Sequence, residues 1–221
     1  LTKGDREMTN VYIVDGARTA FTAFGGSFAG VDAVQLGTAT AVEALKRSGV
    51  KPEQIDHVVY GGVITTGQNS AYLARHIGLY AGVPQEVPAL TQNRLCGSGM
   101  QSVVTAAQQI LLGEANAVLA GGAENMSQSP YANFEQRFGG AKIGDLKFID
   151  MLSATLTDQY TGNGMGMTAE KLAEQYSISR EEQDEFALLS HARAAVARDA
   201  GKFKEEIVPV TVKTRKGELV I

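Results

Sequence analysis

The stretch TQNRLCGSGMQS, residues 91–102, decides how the rest of the chain is read. It holds Cys96, the single cysteine of 221 residues, followed by Gly97 and Gly99. Upstream, VPALTQN (87–93) is an apolar run closing in polar residues and predicts a strand. Downstream, residues 98–113 repeat apolar side chains at helical spacing through Met100, Val103, Val104, Ala107, Ile110 and Leu111. Cys96 therefore falls on a strand-to-helix turn. A thiol attacks as thiolate, and with a free pKa of about 8.5 little of it is ionised at neutral pH. The unpaired N–H groups and dipole of a helix N-terminus favour an anion. Flanking glycines let the chain turn sharply and let a substrate approach the backbone. The N–H of Cys96 is also placed to face an oxyanion formed when its own sulfur is acylated. Against this stands the plain reading of a lone cysteine as a small, buried, inert residue. A nucleophile also needs a base, usually His. His57 lies in a predicted strand, and His76 and His191 lie in predicted helices; spacing ties none of them to Cys96. At the level of residues both readings stand.

Working outward, strands and helices alternate. VYIVDGAR (11–18) predicts a short buried strand ending at Gly16, and 33–47 a helix stopping at Gly49. KPEQ opens a turn with Pro52 at a first helical position. IDHVVYGGV (55–63) predicts a second strand, 70–80 a helix, 87–93 the third strand, and AVLAGGAEN (117–125) a fourth. This order predicts an α/β fold with a mainly parallel sheet covered by helices. Ligands of such sheets bind at the carboxyl ends of the strands. Gly16, Gly61-Gly62, Cys96 and Gly121-Gly122 are expected there.

The rhythm changes near residue 126. MSQSPYANFEQRFGGAKIGDLKF is loop-rich with scattered aromatics, and a helix follows at about 166–175. Ser179 with Glu182 three residues later forms a capping box that opens a helix to about Ala200, stopped by Gly201. IVPVTVKTRKGELVI predicts a hairpin turning at 215–217. The expected organisation is a tail at 1–10, an α/β core at 11–126 and a more irregular region at 127–221. Met8 is the expected natural start, after an upstream tail of residues 1–7. The last residue falls within a strand-like run, which reads as a cut.

Composition narrows the class. Hydrophobic residues at 44% with 20% charged suffice for a packed core. A net charge of −4 without runs of like charge gives no electrostatic case for nucleic acid or an anionic membrane. No apolar stretch is long enough to span a bilayer. One cysteine excludes an intramolecular disulfide and a multi-cysteine zinc site, so no metal is expected and a reducing compartment, cytoplasm or organelle matrix, is the expected home. GGSFAG has neither the spacing nor the strand context of a dinucleotide loop. The acids Glu181, Glu182, Asp184 and Glu185 sit in the first turns of a helix, where they suit its dipole and read as a solvated face. Asp15 with Arg18 reads as a local charge pair or a cap, and VKTRKGE as an exposed turn.

Four segments in order carry a family resemblance: VYIVDGARTAFTAFGGSFAG, QNRLCGSGMQS, AGGAENMSQSPY and MGMTAEKLAEQYSISREEQDEFALLSHARA. Over residues 10–221 the chain resembles the amino-terminal part of thiolases, the acyl-CoA C-acyltransferases. That resemblance implies two similar α/β halves in the whole protein, with a loop domain inserted in the first. It implies that this chain holds four of the first half's five strands and most of the loop domain, cut short. Cys96 is implied as the nucleophile that takes an acyl group from an acyl-CoA. Leu156 and Met165 align with positions lining the pantetheine and acyl pocket. The activating His and a second, acid/base Cys belong to the second half, and the histidines here match no catalytic motif of the family. The implied activity is ping-pong condensation of acetyl-CoA units or cleavage of 3-ketoacyl-CoA, with the chain alone inactive or nearly so. Coenzyme A enters as a thioester substrate and no permanently bound cofactor is implied; the whole protein is expected to be a homodimer or homotetramer. Gly164 stands where one subclass carries a histidine, so the short-chain subclass is not assigned. Ketoacyl synthases share a strand-to-helix cysteine, but the CGSG surroundings and loop-domain match favour thiolase. A non-catalytic CoA-binding or assembly fragment is the alternative from a different class.

Overall fold

The computed structural model describes residues 10–215 and 217–221. The expected start at Met8 and tail at 1–7 lie outside them, as does Lys216 within the predicted hairpin turn. Two compact units are resolved, one formed by Leu1–Gln128 with Val208–Ile221 and the other by Ser129–Ile207.

The first unit is built around β1 (His57–Gly61). It pairs in parallel with β2 (Ala89–Gln92) on one side and β3 (Val118–Gly122) on the other. Gly61 stands opposite both Gln92 and Gly122, so the three strands end level with one another. A central parallel strand is covered on both faces, and Val58, Val59 and Tyr60 are all buried. Burial also pushes the Tyr60 phenol well above the ordinary tyrosine range.

Side chains alternate across the sheet. Val58 and Tyr60 join a cluster with Val34, Ala41 and Leu45 of α1 (Ala33–Ser48) and Leu73 and Ile77 of α2 (Leu73–Tyr80). α1 begins where Asp32 and Gln35 cap each other reciprocally and stops where Gly49 turns left-handed at φ +69°. A short 3-10 turn, Ser70–Tyr72, leads into α2. Val59 and Gly61 point to the opposite face, where α3 (Ser98–Leu112) lies. Only one side of α3 is covered: Ser98, Ser102 and Ala106 are buried, while Met100, Val104, Leu111 and Leu112 are exposed.

The predicted first strand is corrected. Residues 11–17 join no ladder, and the sheet of the first unit has three strands among the described residues. Tyr12, Ile13 and Val14 are 74%, 82% and 67% exposed. Their β-propensity reflects a fit to a pleated, half-buried surface, and no strand of the described chain supplies that surface. Arg18, at the end of this run, does accept a 2.8 Å hydrogen bond from Val208 N–H at its carbonyl. Val210 and Val212 then pack with Phe28, Val31 and Leu36 in a second small core.

The second unit consists of short pieces. β4 (Tyr131–Ala132) pairs with β5 (Ile149–Asp150), and Asp150 caps α4 (Met151–Leu156). β6 (Thr157–Asp158) pairs with β7 (Asn163–Gly164), which runs directly into α5 (Met165–Gln175). α6 (Arg180–Asp199) starts at the predicted box: Ser179 Oγ accepts from Glu182 N–H, and the Glu182 carboxylate accepts from Ser179 N–H. The chain closes with the hairpin of β8 (Thr211–Thr214) and β9 (Gly217–Val220), which belongs to the first unit.

Candidate active site

Level strand ends leave the carboxyl edge of the sheet free to carry a site. The links there are backbone: Gly62 N–H donates to Gln92 O at 3.1 Å, and Ala123 N–H to Gly61 O at 3.1 Å. Glu124, just past β3, accepts from Val63 N–H at 2.8 Å and Ile64 N–H at 3.3 Å. From Gln92 the chain takes four residues to reach Cys96 and two more to enter α3.

Glycines allow the first turn of α3 to rest on this edge. A Cβ on Gly61 would lie 2.4 Å from the Ser98 carbonyl carbon, and one on Gly122 3.2 Å from Gly99 Cα. β1 cannot carry a side chain at Gly61 while the helix stays in place, and at Gly122 the helix would have to give by a few tenths of an ångström. The Ser102 hydroxyl, fully buried, stands 2.6 Å from Gly99 O and 2.7 Å from Gly121 O, tying α3 to β3. The repeated glycines of the strand ends thus serve helix packing as well as access.

Cys96 is exposed. The reading of it as a buried filler is thereby overturned: the turn lifts it clear of the core. It stands directly before Gly97, which caps α3 without a side-chain bond. At the start of α3 the Gly97 N–H donates to Arg94 O at 3.1 Å and the Ser98 N–H to Leu95 O at 2.9 Å, so the turn that carries Cys96 is closed on itself by backbone bonds.

The histidines are accounted for elsewhere. His57 opens β1, and its Nδ1 is buried without a hydrogen-bond partner among the described residues. His76 stacks on Tyr72 and meets Tyr80 edge-on along α2. His191 is exposed on α6. Among the described residues no group of three or more His, Cys, Asp or Glu side chains could hold a metal ion. No helix of the described residues is long and apolar enough to cross a membrane. The acids of α6 are solvated as expected, with Asp184 paired to Arg180 at 2.9 Å. Asp15 receives the N–H of Gly16 at 2.6 Å, and the Arg18 guanidinium lies 5.2 Å from the Phe21 ring centre.

Leu156 and Met165 sit in the second unit. Pairing of Thr157 with Gly164 sets the end of α4 beside the start of α5, so the two side chains flank one small ladder, each about half exposed. Periodicity could not have shown this, because the pairing spans only two residues per strand. A Cβ added at Gly164 would touch only Leu156 O, at 4.0 Å, so an alanine fits there without a clash. A cleft lined by Gly62, Val63, Thr66, Ser70, Thr91 and Glu124 lies at the carboxyl edge, and Cys96 is not among its lining residues.

Comparison with known proteins agrees with this architecture. The family model described as the thiolase N-terminal domain matches residues 11–221. The mitochondrial 3-ketoacyl-CoA thiolase of Homo sapiens is 46% identical over 211 residues, covering 96% of this chain and 53% of that protein. The acetyl-CoA acetyltransferase of Cupriavidus necator is 48% identical over 216 residues, 96% of this chain and 54% of that protein. The crystal structure of the human mitochondrial 3-ketoacyl-CoA thiolase in complex with CoA superposes with a TM-score of 0.87 at 45% identity, over 94% of this chain and 52% of that one. The chain thus spans about half the length of the curated relatives it matches. With an α/β sheet whose carboxyl edge carries an exposed cysteine ahead of a helix, and with that match over nearly all its length, the chain belongs to the thiolase family and corresponds to its N-terminal domain.

Proposed function

We propose that this chain is the nucleophile-bearing part of an acyl-CoA C-acyltransferase and that Cys96 is its acyl acceptor. The observation that carries the reading is the exposure of Cys96 on a turn between a parallel strand and a 15-residue helix. In the first step the Cys96 sulfur attacks the thioester carbonyl of an acyl-CoA. A new C–S bond forms, the bond to the CoA sulfur breaks, and the thiol proton leaves with CoA. In the condensing direction a base takes a Cα proton from acetyl-CoA, and the enolate then attacks the acyl-cysteine, forming a C–C bond, breaking the acyl–sulfur bond and releasing the Cys96 thiolate, to which the proton returns. Cleavage of 3-ketoacyl-CoA is the same sequence reversed. Donors at the start of α3 and the N–H of Cys96 would stabilise the charge that develops at the attacked carbonyl.

The remaining roles follow from resemblance. The activating His and acid/base Cys belong to the part of the relatives that this chain does not match, so the chain alone is expected to show little or no turnover. Leu156 and Met165 are assigned to the pocket for pantetheine and acyl chain, and the loop domain expected at 127–221 is narrowed to 129–207, because the closing hairpin falls in the first unit. Coenzyme A thioester is the substrate, no resident cofactor is required, and a homodimer or homotetramer is the working form. A reducing compartment suits Cys96; the cytoplasm is the simplest, and a mitochondrial matrix is compatible with one relative's name.

The test is intact and peptide mass spectrometry after incubation with acetyl-CoA, using the chain together with the complementary half of a homologous thiolase. An acetyl group on the Cys96 peptide, lost in Cys96→Ala, is expected. Labelling elsewhere, or none while an authentic thiolase labels under the same conditions, would refute the assignment. A second reading, a non-catalytic CoA-binding module, is favoured by the lack of a second cysteine in the 221 residues. It predicts saturable CoA binding without any adduct.

A further inference from the structure

Leu95, directly before Cys96, has φ +48°, a left-handed conformation that a leucine rarely adopts. Its side chain is 61% exposed, so packing in the core does not hold it there. Two other side chains do. Asn93 Oδ1 accepts the Leu95 N–H at 2.8 Å, while Asn93 Nδ2 donates to Val63 O at 3.1 Å and so anchors itself to the segment after β1. Ser98, only 4% exposed, donates its hydroxyl to Leu95 O at 2.6 Å and accepts the Arg94 N–H at 2.8 Å. Both peptide groups flanking the Leu95 Cα are therefore gripped, one through its N–H and the other through its C=O. The Ser98 N–H adds a second bond to Leu95 O at 2.9 Å.

We propose that Asn93 and Ser98 are positioning residues that clamp Leu95 left-handed and thereby aim the Cys96 sulfur at the start of α3. The inference rests on the reading of Cys96 as the acyl acceptor. Without the clamp Leu95 relaxes to right-handed or extended backbone. Cys96 then swings away from the start of α3 without any core side chain being lost. A left-handed leucine is disfavoured enough that releasing it lowers the population of the aimed state about tenfold. Glycine enters the left-handed region freely, so at position 95 it needs no clamp.

The experiment measures pseudo-first-order alkylation of Cys96 in the intact chain by iodoacetamide, with thermal melting of each variant alongside. Ser98→Ala and Asn93→Ala should each alkylate about tenfold more slowly than wild type. Adding Leu95→Gly to either should restore most of the rate, a rescue that a general loss of stability would not give. Asn93 is exposed, so its variant carries the test even if Ser98→Ala fails to fold. Wild-type rates in both single variants, or slow rates that Leu95→Gly leaves unchanged, would overturn the proposal. Acetylation by acetyl-CoA, measured in parallel with the complementary half of a homologous thiolase present, separates the two claims. A fall and rescue with iodoacetamide, with no acetylation of wild type, leaves the clamp standing and removes the acyl-acceptor reading.

Discussion

Replacing Gly61 with alanine tests the packing that sets the candidate site. The new Cβ would meet the Ser98 carbonyl carbon at 2.4 Å, its oxygen at 2.5 Å and Ser98 Cβ at 2.7 Å. Carbon atoms in contact prefer about 3.5–4.0 Å, so something must move by about 1 Å. β1 cannot recede, because it is paired on both sides and Val59 is fully buried. The atoms it meets belong to backbone and to a buried serine with two hydrogen bonds, so the first turn of α3 must shift. Overpacking of this kind costs about 1–3 kcal/mol. For a chain of this length that corresponds to a fall in Tm of roughly 3–10 °C. Because the displaced turn carries Cys96, iodoacetamide alkylation should slow as well. Gly30→Ala is the control, since a Cβ there has nothing within 4 Å and no positive φ. If Gly61→Ala melts and alkylates like wild type, α3 does not rest on the strand end, and the packing assigned to the site is wrong.

Three further outcomes are expected. Ser102→Ala removes the buried hydroxyl that ties α3 to Gly121 O and should destabilise by about 1 kcal/mol, read from urea unfolding. Tyr60 is raised in the folded state by burial, so the unfolded chain ionises first: stability should fall as pH rises above about 10, and Tyr60→Phe should flatten that alkaline limb. Asp56 accepts from Asn116 N–H at 2.6 Å, and also from Asn116 Nδ2 and Ala117 N–H, which holds its carboxyl below the ordinary range. Its contribution is present above the unfolded pKa of about 3.9 and is lost as pH falls, so Asp56→Asn should show a shallower acid limb in denaturation followed by circular dichroism.

Elements longer than one or two turns were legible from residue pattern. Helices predicted at 33–47 and 98–113 are found at Ala33–Ser48 and Ser98–Leu112. The box at Ser179 and Glu182 marks the start of α6 as predicted, because capping depends on residues three apart and on little else. β4, within the loop-rich stretch at 126–148, and β5, α4, β6 and β7, within residues 149–164 to which the pattern assigns no element, were not legible. Strands of two residues and a helix of six are too short to show a period, and their pairing is decided by partners distant along the chain. The run at 11–18 failed in the opposite direction: a local preference for extended backbone is visible in sequence, but whether an edge is there to pair with it is not.

The sequence by itself determined the alternation of strands and helices, the place of Cys96 on a strand-to-helix turn, and the order of motifs that marks the thiolase family. Each depends on composition and spacing over a dozen residues or so. Tertiary structure alone decided that Cys96 is exposed and that Gly61 and Gly122 yield their Cβ positions to the first turn of α3. It also decided that Asn93 and Ser98 close on a left-handed Leu95. Those facts depend on which backbone atoms approach within about 3 Å across the sheet edge, and no local pattern of residue types carries that information.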